Sequence, residues 1–177
     1  MLRINELKVT PSLELFSELV ELLQDAVGSG GVLGYTAVPS TKEARNYWAG
    51  VLEDVGRGRR QLFVATDEHV CAGSIQLART AEDNGKHRGH VEKLMVHTQF
   101  RRRGIAGALL GALEAAAAGH GLSLLVLEVR QDDGAEALYR KHGWLRVGSI
   151  PGFERAPGGA LVTTAVYYRA VTPAQAR

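Results

Sequence analysis

Apolar residues recur along this chain in two periods. Leu2, Ile4, Leu7 and Val9 predict a first strand with an irregularity near Asn5-Glu6. Leu13, Phe16, Val20, Leu23 and Val27 then fall at three- and four-residue steps, the stripe of an amphipathic helix. Thr10-Pro11-Ser12 starts that helix, since proline suits a first turn and Thr10 can cap it. Gly28–Gly34 (GSGGVLG) ends it and is a lid or a linker. A second helix is predicted over about Lys42–Val55, burying Tyr47, Trp48, Val51 and Leu52. After the basic turn Gly56–Arg60, the runs Gln61–Thr66 and Val70–Leu77 form a hairpin closed at Asp67-Glu68-His69.

The second half alternates between the two periods. The polar loop Thr80–Gly89 leads into a strand, Gly89–His97, which carries Leu94-Met95-Val96. A basic, glycine-bearing turn follows, and then Ala108, Leu109, Leu110, Leu113 and Ala116 predict a helix to about Gly119. Ser123–Val129 (SLLVLEV) is a nearly continuous apolar run, the pattern of a central strand buried on both faces. Ala135–His142 is a short helix stopped by Gly143. Trp144–Gly148 and Leu161–Val171 are strands, and Pro151–Gly159 is a loop by its Pro and Gly content. The order β-α-α-β-β-β-α-β-α-β-β predicts an α/β (α+β) fold, a mixed sheet with helices on both faces. No repeat and no dividing linker is visible, so the 177 residues are expected to form one domain.

Composition narrows the function. A net charge of +2 leaves no domain-wide basic surplus for a general nucleic-acid binder. The basic residues gather at Arg57–Arg60 and Arg101–Arg103, which suits a small polyanion better than a duplex. Cys71 is the only cysteine, so no internal disulfide forms, and it reads as a small core residue. The segment MLRINELKV lacks the apolar core of a signal peptide, and no stretch is apolar for the length of a membrane span. A cytoplasmic protein without membrane contact is expected. His87, His90 and Glu92 are of ligand type, but they fall on loop and strand at unconvincing spacing, so no metal is expected.

The chemistry is concentrated where the strand Gly89–His97 turns into the following helix. A helix N-terminus presents amides without internal partners and partial positive charge, and it binds phosphate when the backbone comes close. There is no G-x-x-x-x-G-K-[ST] and no G-x-G-x-x-G. What stands there is Arg101-x-x-Gly104-x-Ala106, which resembles the acyl-CoA pyrophosphate loop of the GNAT superfamily of N-acetyltransferases. A second stretch, Asp132–Trp144 (DDGAEALYRKHGW), resembles that family's other signature at Ala135, Leu138, Tyr139, Lys141 and Gly143. It departs from it in Asp132 for Asn and Trp144 for Phe, and the first change puts a pantetheine contact in question. VEKLMV, the arginine turn, VLEV and the PGFERAPGGALVTTAVYY tail together look like the tabtoxin-resistance subgroup, which acetylates the amine of a small amino-acid-like toxin.

That resemblance implies a mostly antiparallel sheet of about seven strands whose central pair splays to admit acetyl-CoA, the cosubstrate. It implies pyrophosphate binding by the amides of Arg103, Gly104, Ile105, Ala106 and Gly107, with charge added by the side chains of Arg101, Arg102 and Arg103. It implies a thioester held by Leu94, Met95 and Val96, and pantetheine contacts at Asp132 and Ala135. A protonated amine does not attack, so a base is needed. Glu92, a carboxylate unexpected in a core strand, is the first candidate. Glu128 is the second, inside an apolar run where burial is expected to raise its pKa. His90 is a minor alternative. Tyr139 is the candidate acid for the leaving thiolate. The expected partner is a small-molecule amine, and the expected state a monomer or homodimer. Two alternatives stand beside this: acetylation of a protein or peptide, and a non-catalytic acyl-CoA-binding module.

Overall fold

The structure is a computed structural model and describes residues 1–131 and 134–173. Seven strands and four helices follow the expected order: β1 (Arg3–Glu6), α1 (Leu13–Gly28), α2 (Thr41–Gly56), β2 (Arg60–Asp67), β3 (Val70–Arg79), β4 (Arg88–Val96), α3 (Ile105–Gly119), β5 (Leu124–Arg130), α4 (Gly134–Lys141), β6 (Leu145–Arg155) and β7 (Leu161–Ala170). They form one sheet in the order β1-β2-β3-β4-β5-β7-β6. Every neighbouring pair is antiparallel except β4 with β5.

The helix starts follow from local chemistry. Ser12, not Thr10, caps α1, its hydroxyl accepting from the Leu15 amide at 3.2 Å. Ser40 and Glu43 form a reciprocal capping box at α2, with 3.3 Å from the Glu43 amide to the hydroxyl and 2.8 Å from the Ser40 amide to the carboxylate. Two apolar clusters cover the two faces of the sheet. Leu19, Leu22, Leu23, Trp48 and Val51 of α1 and α2 pack on Leu62, Val64 and Met95. Leu109, Leu110 and Leu113 of α3 pack on the other face with Leu125, Leu127, Tyr139, Trp144 and Tyr167. Among the described residues, no helix is long and apolar enough to cross a membrane.

Three expectations need correction. The first strand stops at Glu6; Leu7 adds one more bond, from its amide to Leu62 O at 2.8 Å, and Val9 is exposed. Pro151–Gly159 is not one loop: β6 runs to Arg155. It is an edge strand, where proline is tolerated, and its extra residues between Ile150 and Glu154 are taken up as an irregularity against β7. β5 is buried on one face only, at Leu125 and Leu127; Leu124 and Val126 are half-buried and Glu128 is exposed.

The central event is in β4. Glu92 pairs with Gln76 and Met95 with Ser74, so β4 carries one residue more than β3 across this interval. Lys93 takes up the excess with φ 53°, the left-handed region. β4 and β5 pair only over Arg88–His90 with Leu124–Val126. Beyond that point β4 stays with β3, β5 stays with β7, and the two strands part.

Gly73 lets β3 approach this bend, because a Cβ there would meet Met95 O at 2.6 Å and Leu109 Cδ1 at 3.3 Å. Gly73→Ala is expected to destabilise the fold by about 1–3 kcal/mol through that overpacking, read as a lower urea midpoint at unchanged slope. Burial pushes the Cys71 thiol up to about 12. In native protein Cys71 is therefore expected to resist alkylation at neutral pH and to react at the rate of a free thiol only once urea has unfolded the chain.

Candidate active site

The parted strands open a cleft of about 1180 Å³ that reaches from the tip of α3 to Glu154 of β6 and Val162 and Thr163 of β7. That exceeds the roughly 300–1,000 Å³ of an ordinary single-ligand pocket, so there is room for two reactants.

One end is built by α3. Its N-cap is Gly104 at φ 77°, no side chain caps it, and a Cβ there would point into open space. The Ala108 amide is bonded to Gly104 O at 3.1 Å. The amides of Ile105, Ala106 and Gly107 lie ahead of it in the first turn, without intrahelical acceptors, at the wall of the cleft. The three arginines before them have different surroundings. Arg101 donates from Nε to Val96 O at 3.2 Å and from Nη2 to Ser29 Oγ, bracing the turn. Arg103 turns away to Asp67 at 2.5 Å and lies over the Phe100 ring at 5.5 Å. That bond, with help from the chain's amino terminus, holds the Asp67 carboxyl below the usual carboxylate range. Arg102, at φ 61°, faces the cleft and forms no ion pair among the described residues. Gly107 has a packing reason as well: a Cβ there would stand 3.1 Å from His142 Nε2.

The long walls are Leu94, Met95 and Val96 of β4 and Val129 and Arg130 of β5. The first turn of α4 adds Gly134 and Ala135. Asp132 lies outside the described residues. Tyr139 is buried beside Trp144 and Tyr167, with ring centroids 5.9 and 6.3 Å away, and lines the same cleft. Trp144 donates from Nε1 to Glu114 of α3 at 2.7 Å, which fixes the end of α4 against α3.

The other end is polar. Glu92 accepts from Arg60 Nη1 at 2.6 Å, and the same nitrogen donates to Gln76 Oε1 at 2.8 Å. Gln76 in turn donates to the Tyr47 hydroxyl at 2.9 Å, and burial pushes that phenol up to about 12, so it stays neutral. Glu92 is thus an ion-paired, oriented carboxylate at the cleft wall. Glu128 is not buried as its apolar neighbours suggested; its side chain is 40% exposed at the cleft, 3.8 Å from His90 Nε2. The two lie on the same side of the sheet because the pleat sends Val91, Leu125 and Leu127 to the α3 face and their neighbours to the other.

One further part of the cleft lies in Gly28–Gly34, expected as a lid or a linker, and two others were not foreseen. Ser29–Leu33 overhangs the cleft, tied down by Arg101 to Ser29 and by Lys93 Nζ to Leu33 O at 2.9 Å. Nearby, the turn after β6 is stitched to the α1–α2 connection by Gly158 N to Thr36 O at 3.1 Å. Glu154 of β6 also lines the cleft and accepts from Thr164 Oγ1 at 3.2 Å. A charged residue at Lys93 inside an apolar strand was the available signal for that position. Glu154 offered none, because its segment did not read as a strand.

The acetyltransferase (GNAT) domain family matches residues 34–155, which takes in the parted strands, the helix tip and α4. The chain belongs to the GNAT acetyltransferase family. It is an acetyl-CoA-dependent N-acetyltransferase by that membership. It is 34% identical over 116 residues to an uncharacterized N-acetyltransferase of the hisH–hisA intergenic region of Azospirillum brasilense, covering 64% of this chain and 67% of that one. It is 35% identical over 104 residues to the mycothiol acetyltransferase of Kineococcus radiotolerans, covering 59% of this chain and 33% of that protein. The GNAT chain thus spans about a third of that relative's length. Among solved structures it matches a ribosomal-protein-alanine N-acetyltransferase from Brucella melitensis with a TM-score of 0.80 at 18% identity, over 96% of this chain and 99% of that one. The splayed, mostly antiparallel sheet is therefore a GNAT fold.

The unequal surroundings of the arginines predict different losses on substitution in this GNAT enzyme. Arg102→Ala is expected to weaken coenzyme A binding by about tenfold in calorimetry, with the loss shrinking at high salt. Arg103→Ala is expected to lower the melting temperature instead. The Asp67 carboxyl is held down, so its stabilising contribution is present above the ordinary carboxylate range and is lost as pH falls through its folded pKa. The melting difference between wild type and Arg103→Ala should therefore close as the solution is acidified.

Proposed function

We propose that the protein transfers the acetyl group of acetyl-CoA to the primary amine of a small molecule, by direct attack on the thioester. The observation that supports this is the polar end of the cleft, where Glu92, Lys93, Glu128 and Glu154 line one space of a size for a small charged amine. Ser29–Leu33 lines the same cleft and is bonded there through Leu33 O to Lys93 Nζ at 2.9 Å. In this reading the amides at the tip of α3 hold the pyrophosphate, with Arg102 alongside. The pantetheine arm lies between β4 and β5 like an added strand, using backbone groups that the two strands no longer offer each other. Leu94, Met95 and Val96 hold the thioester, whose oxygen accepts from the Met95–Val96 backbone. Gly134 and Ala135 at the start of α4 border the arm.

The amine must lose a proton before it attacks. Glu92, aimed by Arg60, takes it directly or through water. Glu128 beside His90 is the second candidate. The nitrogen lone pair then forms the new C–N bond, the tetrahedral intermediate collapses, and the C–S bond breaks. The coenzyme leaves as a thiolate and takes a proton from the Tyr139 hydroxyl or from water. A thiol of pKa about 8.5 is a fair leaving group, so Tyr139 contributes modestly.

A second reading is acetylation of a peptide amine, and the ribosomal-protein-alanine N-acetyltransferase of the same fold favours it. The likeness to the tabtoxin-resistance subgroup keeps amine-bearing toxins among the candidate acceptors. The test is release of coenzyme A thiol from acetyl-CoA with a panel of amino acids, polyamines, aminoglycosides, amine-bearing toxins and short peptides. Turnover confined to peptides would replace the small-molecule reading. Glu92→Gln is expected to lower kcat by about a hundredfold while coenzyme binding persists. A non-catalytic acyl-CoA-binding module would have no turnover to lose. Tyr139→Phe is expected to slow turnover a fewfold; an unchanged rate between about pH 6 and 9 removes the acid role.

A further inference from the structure

The residue this reaction does not use is Lys93. It sits at the bend of β4 in the left-handed conformation, which non-glycine residues adopt rarely. The extra residue in β4 is what carries Lys93 to the acceptor end of the cleft, between Glu92 and the residues expected to hold the thioester. Its ammonium has three donors. One goes to Leu33 O at 2.9 Å, and Lys93 forms no ion pair among the described residues. Glu92, the nearest carboxylate in sequence, is bonded to Arg60, and Glu154 is bonded to Thr164. Burial pulls the ammonium below the usual lysine range, even though Glu92 and Glu154 act in the opposite direction. The folded site thus under-compensates a cation that it holds at its own reaction centre. Such a charge is stabilised by an anionic group arriving with a ligand.

We propose that Lys93 is a specificity-determining residue that binds a carboxylate of the acceptor, so that the substrate is an amine carrying its own acid group, of the amino-acid class. This rests on the small-molecule acetyltransfer reading above. The carboxylates at this end fit the other half of such a zwitterion. Glu128, beside His90 and open to the cleft, and Glu154 can face the ammonium before it loses its proton, while Lys93 holds the acid group away from them. An uncharged amine leaves Lys93 uncompensated, and an acid without an amine meets Glu128 and Glu154.

The experiment compares the common L-amino acids, β-alanine and 4-aminobutyrate with their carboxamides as acceptors in the thiol-release assay. It uses wild type, Lys93→Met and Lys93→Arg. The wild type should prefer acids over amides. Lys93→Met should raise KM for the best acid by about ten- to a hundredfold, more than it changes kcat, and should collapse the acid-to-amide ratio toward one. Lys93→Arg should restore much of the ratio. If Lys93 is only a strut for the overhang, Lys93→Met lowers the melting temperature and leaves the ratio unchanged, and the proposal falls. Equal use of acids and amides by the wild type also overturns it. If no acid on the panel is turned over while coenzyme A still binds in calorimetry, the Lys93 assignment is wrong and the acetyltransferase reading survives. Absence of coenzyme binding removes both.

Discussion

One surplus residue in β4 sets the architecture of the cleft. A strand that kept the β3 register would point Val91, Lys93 and Met95 to one face. With the extra residue, Val91 packs on the α3 side and Met95 packs under α1 and α2. Leu94 and Val96 join the α3 side. The strand therefore changes sides at the bend while remaining anchored to β3. It cannot also follow β5, which is held by β7 along its whole length. The gap between β4 and β5 follows from two complete pairings on the outside and one incomplete pairing on the inside.

The same bend distributes charge. Lys93 and Glu92 are neighbours in sequence but have separate partners: Glu92 is held by Arg60, and Lys93 by a backbone carbonyl. Arg101, Arg102 and Arg103 show the same division at the far end of the cleft. Two of these arginines brace the turn against Val96, Ser29 and Asp67, and one is left facing the opening. A basic triplet at a helix tip suggests three ligands for phosphate. A turn with a left-handed residue and a left-handed cap needs supports as well, and side chains supply them here.

What the sequence conveyed was local. Three- and four-residue periods located α1 and α3, and the arginine turn and the LYRKHGW stretch located the helix tip and α4. Boundaries were off where two residues competed for one role, as at α1, where Ser12 lies directly before the helix and Thr10 one turn-step too early. Contacts between distant segments were not legible. Arg60 meets Glu92 across 32 positions, and Lys93 meets Leu33 across 60. The apolar setting of Glu128 suggested burial, but β5 leaves its neighbour just before that residue, so the carboxylate opens to the cleft. Composition also hid the second half of β6, because the Pro and Gly content of residues 151–159 describes a turn as well as an irregular edge strand.

Stability and chemistry occupy different lengths of the same strands. The first halves of β4 and β5 are paired, and the closely packed Gly89 lies there, where a Cβ would meet Leu77 Cδ1 at 2.6 Å and Leu122 Cδ1 at 3.0 Å. The second halves give up the ladder between them and carry Glu92, Lys93 and Glu128 instead. Backbone groups without a strand partner favour a ligand that can supply one. An acyl-pantetheine arm has amides at a spacing suited to that task, and a charged acceptor suits the side chains left beside it. In the proposed reading, coenzyme binding and acceptor choice have a common origin: a sheet that stops pairing at His90, and a lysine set one residue out of step.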